Sequence, residues 1–94
     1  MTILQIEHPV PDFDSWKKAF DSDPAHRRKN GVRRYRVMRS VENPNYVLVD
    51  LEFDSTPEAE AFRTVLQSLW RRVEGKVMES PRARVVETVE TKDL

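Results

Sequence analysis

The sequence has no cysteine, only two glycines among its 94 residues, and no net charge. Without cysteine there is no disulfide framework, no thiol nucleophile, no Fe–S cluster and no thiolate metal site. Gly31 and Gly75 stand singly, so no glycine-rich loop is present to cradle a phosphate. Sixteen basic side chains balance sixteen acidic ones, which argues against a general binder of polyanions or membrane surfaces. The longest apolar run, Val47 to Val49, is three residues, where a membrane span needs roughly 18. Met1 to Glu7 carries neither a basic leader nor an apolar signal core, and a cytoplasmic location is expected.

What remains is patterning within one domain, residues 1–94, large enough for a single modest core. Residues 2 to 8 alternate, with Leu4, Ile6 and His8 on one side and Ile3, Gln5 and Glu7 on the other, which predicts a strand ended by Pro9 and Pro11. Asp12 can cap a helix whose apolar stripe is Phe13, Trp16 and Phe20. Pro24 breaks or kinks that helix, and Ala25 to Lys29 is expected to resume it before the stop at Asn30-Gly31. Val32 to Ser40 and Tyr46 to Phe53 read as strands joined by turn residues 41–45. Thr56 is the expected cap of a second helix, with Pro57 at its first position. Ala59, Phe62, Leu66, Leu69 and Val73 give it an apolar face, and Gly75 is placed to end it. A short loop through Pro81 leads to a last strand, Arg82 to Glu90, and a polar tail.

The order β-α-β-β-α-β predicts an α+β ferredoxin-like fold: a four-stranded antiparallel sheet, order 4-1-3-2, with both helices on one face. The hairpin register follows from matching faces. If Val37 opposes Val49 and Tyr35 opposes Leu51, then Arg36 meets Asp50 and Arg34 meets Glu52; a one-residue slip scrambles both faces. Val47, Val49, Leu51 and Phe53 then lie under the helices. The other face carries Arg34, Arg36, Met38, Tyr46, Leu48, Asp50 and Glu52, with Gln5 and Glu7 nearby. It reads either as a solvated face laced with ion pairs or as a homodimer interface, being more apolar at Ile3, Met38, Tyr46 and Leu48 than solvation requires.

The stretch His8-x-x-x-Asp12-Phe13-Asp14-x-Trp16-Lys17-x-x-Phe20-Asp21, followed by Asn43-Pro44-Asn45-Tyr46-Val47 through Glu52-Phe53, resembles the dimeric α+β barrel proteins. Within that superfamily it is similar to the small antibiotic-biosynthesis monooxygenase-like domains. The resemblance implies a homodimer closed through the sheet face. It also implies a small-molecule site, with a cofactor-independent monooxygenase-like or cyclase-like activity on an aromatic substrate. A non-catalytic dimeric binding module of the same fold is the alternative, because fold does not select among these. Monooxygenase-like members often place a His on the second helix; here that stretch reads Glu58-Ala59-Glu60-Ala61-Phe62-Arg63.

The topology gathers the end of the first strand, the start of the first helix, the end of the second helix and the start of the last strand. His8, Phe13, Trp16 and Trp70 meet there, with Arg82 or Arg84, as a candidate pocket for a planar anionic or phenolic ligand. His8 is the candidate general base, and Tyr35 on the helix side is a further lining candidate. Each of these has a plain alternative as a packed core residue. Asp50 and Glu52 share a face but sit opposite arginines, which suits structure better than proton transfer. No metal or cofactor is expected, since His8 and His26 lie on different elements with no ligand spacing between them. The run Arg27 to Arg39 holds seven positive charges in 13 residues, but the first strand has no aromatic on its open face to stack a base, so no nucleic-acid partner is expected.

Overall fold

A computed structural model describes residues 1–73 and 81–94. It contains β1 (Thr2–Pro9), α1 (Phe13–Asp21), β2 (Arg34–Arg39), β3 (Tyr46–Phe53), α2 (Thr56–Val73) and β4 (Arg82–Glu87). The four strands form one antiparallel sheet in the order β2-β3-β1-β4, the expected order read from the other edge. β1 is central because it alternates cleanly. Leu4, Ile6 and His8 are buried beneath the helices, and Val47, Val49, Leu51 and Phe53 of β3 lie beside them. Trp16 of α1 and Ala59 and Phe62 of α2 close the core from above.

The hairpin register is the expected one: Arg34 opposes Glu52, Tyr35 opposes Leu51, Arg36 opposes Asp50 and Val37 opposes Val49. Arg34 forks onto Glu52 through Nε at 2.9 Å and Nη2 at 3.2 Å. Hydrogen bonding to Glu52, then its charge, raises the Arg34 pKa. Arg36 and Asp50 form no ion pair, contrary to the sequence expectation. Arg36 lies exposed on an edge strand, where pairing gains little over hydration. On the same open face Tyr46 Oη donates to Glu7 Oε1 at 3.1 Å. Burial, followed by that hydrogen bond and the Glu7 charge, raises the Tyr46 pKa.

Several boundaries differ from the sequence reading, each for a local reason. α1 is capped as expected, Asp12 accepting from the Ser15 amide at 2.9 Å and the Ser15 hydroxyl at 2.8 Å. It does not resume after Pro24. Asp23 (φ 55°) and His26 (φ 51°) adopt left-handed backbone that no helix continues, and turns run instead to Gly31. Those turns still occupy Val32, whose amide donates to the Arg27 carbonyl, so β2 starts at Arg34 rather than Val32. β4 stops at Glu87 instead of Glu90 because its partner strand ends there, with Thr2 opposite Glu87. Ser55, not Thr56, caps α2. Its hydroxyl accepts from the Glu58 amide and donates to Glu58 Oε1 at 3.1 Å, so one free amide of the first turn is capped. Thr56 Oγ1 instead lies 3.3 Å from Thr2 Oγ1. The expected stop at Gly75, the side chain of Val73 and the loop leading to Pro81 lie outside the described residues. Among those described, no helix is long and apolar enough to cross a membrane.

Candidate functional site

The space between α1, α2 and the sheet is not filled by the side chains of the described residues. A cavity of about 160 Å3 lies there, lined almost wholly by carbon. Its floor is Ile6, His8, Val49 and Leu51, and its walls include Trp16 and Phe20 on one side and Phe62, Leu69 and Trp70 on the other. For scale, an engineered apolar cavity of about 150 Å3 stays dry and takes benzene. The volume therefore suits one aromatic ring.

Alternation on β1 puts His8 in this floor, where it is 2% exposed. Its Nδ1 lies 3.2 Å from the Pro9 carbonyl, which can only accept, so Nδ1 carries the proton and Nε2 is left as an acceptor. Desolvation lowers the His8 pKa, and the bond to Pro9 opposes this more weakly. The imidazole is thus neutral near pH 7 with a basic Nε2, the form a general base requires. Trp16 meets it edge-on with ring centroids 5.8 Å apart. Phe20 stacks on Trp16 at 5.1 Å, and Tyr35 meets Phe20 edge-on at 5.1 Å. The rings thus form a series of pairwise contacts from the buried imidazole to the partly exposed Tyr35.

Of the residues the sequence nominated, His8, Trp16 and Trp70 line the cavity together. Phe13 packs behind Trp16 at 5.8 Å, under the Arg39 guanidinium, and does not reach the cavity. Tyr35 faces the helix side as expected but is 44% exposed at the outer end of the ring series. Arg84 and Arg82 are not at the site. They oppose Gln5 and Glu7 across the β1–β4 ladder and share their face, so Arg84 bonds Gln5 Oε1 at 3.2 Å and Glu7 Oε2 at 3.4 Å on the open side of the sheet. The guanidinium groups at the cavity are instead Arg27 and Arg72. The sequence reading placed Arg27 in the basic run and in the expected resumption of the first helix, not at the pocket. The left-handed turn at Asp23 folds that run back onto α1, so that Arg27 Nη1 donates to the Phe20 carbonyl at 2.8 Å. The Asp23-Pro24 pair was the available signal. Among the described residues no group of three His, Cys, Asp or Glu is placed to hold a metal.

No protein-family model matches the sequence, and neither does any curated protein. Solved structures match closely. An antibiotic biosynthesis monooxygenase superposes with a TM-score of 0.71 at 8% identity, over 96% of this chain and 100% of that one. A cofactor-independent oxygenase from Streptomyces nogalater superposes at 0.68 and 12% identity, over 96% and 93%. A dimeric ferredoxin-like protein from an uncultured marine organism superposes at 0.66 and 8% identity, over the whole of both chains. The chain has the fold of these proteins. At such identities the likeness is one of fold, which hosts unrelated chemistries.

Proposed function

We propose that this protein is a small-molecule-binding homodimer whose ligand is an aromatic compound seated between helices and sheet. On this reading His8 Nε2 accepts a proton from a phenolic or activated C–H group. That suits the cofactor-independent oxygenase chemistry of its structural neighbour, or a cyclisation. The observation carrying this reading is the one-ring cavity lined by His8, Trp16 and Trp70. Both tryptophans of the chain line it, so intrinsic emission reports on its contents. Titration with a phenol or an indole is expected to change that emission saturably. A Leu69→Trp variant, read by calorimetry, should fill the cavity and abolish binding. The absence of saturable binding in the wild type refutes the site. His8→Gln separates enzyme from binding module: a binding module keeps its ligand and has no turnover to lose, whereas an enzyme keeps its ligand and loses turnover.

Self-association is proposed through the open sheet face, where Ile3, Met38, Leu48 and Val86 are half-buried in the single chain. The dimeric character of one structural neighbour supports it. Sedimentation at micromolar concentration should give a dimer, and Leu48→Glu a monomer, because a charge there would be buried without a partner. A wild-type monomer overturns the interface.

A further inference from the structure

Every charged residue lining the cavity, among those described, is a cation: Arg27 and Arg72, with no carboxylate. Arg27 also lines a shallow outer groove with Asp23, Arg28, Arg33 and Arg34, of which Arg33 pairs with Asp54 and Arg34 with Glu52, so it stands where the apolar interior meets an arginine-rich exterior. Its side chain is only 14% exposed. The guanidinium sits 3.9 Å over the Phe20 ring and 4.8 Å over Tyr35. Stacking uses the faces of the guanidinium and leaves its in-plane N–H groups as donors. One of these, on Nη1, is taken by the Phe20 carbonyl at 2.8 Å, and Nε lies 3.5 Å from Asp23 Oδ1. Nη2 has no acceptor among the described residues and is not among the buried unbonded atoms.

We infer that the ligand of this cavity is a one-ring aromatic carboxylate, its ring against Trp16 and Trp70 and its carboxylate on Arg27 at the cavity mouth. The inference rests on the cavity being a ligand site, as proposed above, and adds the ligand's charge. A neutral hydrocarbon would satisfy the walls and leave Nη2 to water; a carboxylate satisfies the walls and the guanidinium charge together. Partial burial strengthens the charge-assisted hydrogen bond. Arg27 is held by Phe20 and Tyr35 before any ligand arrives, so little side-chain freedom is lost on binding.

Benzoate and benzamide test this directly, being nearly equal in shape and different in charge. Titration calorimetry at pH 7 is expected to show benzoate binding at least roughly tenfold tighter than benzamide to the wild type. Arg27→Gln should remove most of the benzoate preference, weakening benzoate far more than benzamide, and Arg27→Lys should keep part of it. Equal wild-type affinities overturn the carboxylate while leaving the cavity as a ligand site. If neither probe binds, the cavity reading itself falls. The wild-type ratio decides without reference to how any variant folds.

Discussion

Truncating the two core phenylalanines separately tests whether the space above His8 is open. Phe53 and Phe62 meet at 5.7 Å, and both are almost fully buried, at 0% and 1% exposure. They differ in what lies on their far sides. Phe62 lines the cavity and Phe53 does not. A ring bordering a void already lacks dispersion partners on that side, so its removal forfeits fewer contacts. Phe→Ala in a packed core costs about 3–5 kcal/mol. Phe53→Ala belongs near the top of that range, at about 5 kcal/mol, and Phe62→Ala near the bottom, at about 3 kcal/mol. A domain of this size has a total stability of about 5–14 kcal/mol, so the Phe62→Ala loss leaves a measurable transition, and at the low end of that range Phe53→Ala leaves the chain unfolded without urea. The smaller one lowers Tm by roughly 12–24 °C. Urea unfolding followed by far-UV circular dichroism, at fixed protein concentration, gives both values; unchanged slopes license the comparison. A cost for Phe62→Ala equal to or above that for Phe53→Ala would refute the open cavity.

Two further predictions concern other sites. Because burial lowers the His8 pKa, the unfolded chain binds a proton below its usual value near 6.5 while the folded chain resists it. Stability should therefore fall as pH drops from about 6.5 toward the folded-state pKa and be independent of His8 protonation above about 6.5; His8→Phe should flatten that slope, and parallel wild-type and variant profiles would count against a buried neutral imidazole. Gly31 has φ +98°, and a Cβ there would stand 2.8 Å from Glu58 Oε2, so Gly31→Ala should cost about 1–3 kcal/mol in denaturant melts. In a Glu58→Ala background only the backbone strain remains, and the cost should shrink; strict additivity would place the strain in the backbone alone.

The alternation of β1, the 3- and 4-residue steps of α2 and the matched faces of β2 and β3 each have one solution that buries apolar atoms. Element order, strand order and the Arg34–Glu52 pair could therefore be read from the sequence. His8, Trp16 and Trp70 were legible as neighbours for the same reason, since topology alone brings their elements to one end of the sheet. Whether they pack tight or leave a ring-sized space depends on how far the helices stand off the sheet. That distance is a sum over many side chains, and no local pattern encodes it. The guanidinium at the cavity shows the same limit. The sequence reading set Arg84 at the pocket, but its pairing with Gln5 turns it to the open face, whereas Arg27 reaches Phe20 only because Asp23 and His26 adopt left-handed backbone. A turn of that kind is selected by the contacts it makes on either side. The residues of the site were written in the sequence; their convergence on one cavity was decided by tertiary packing.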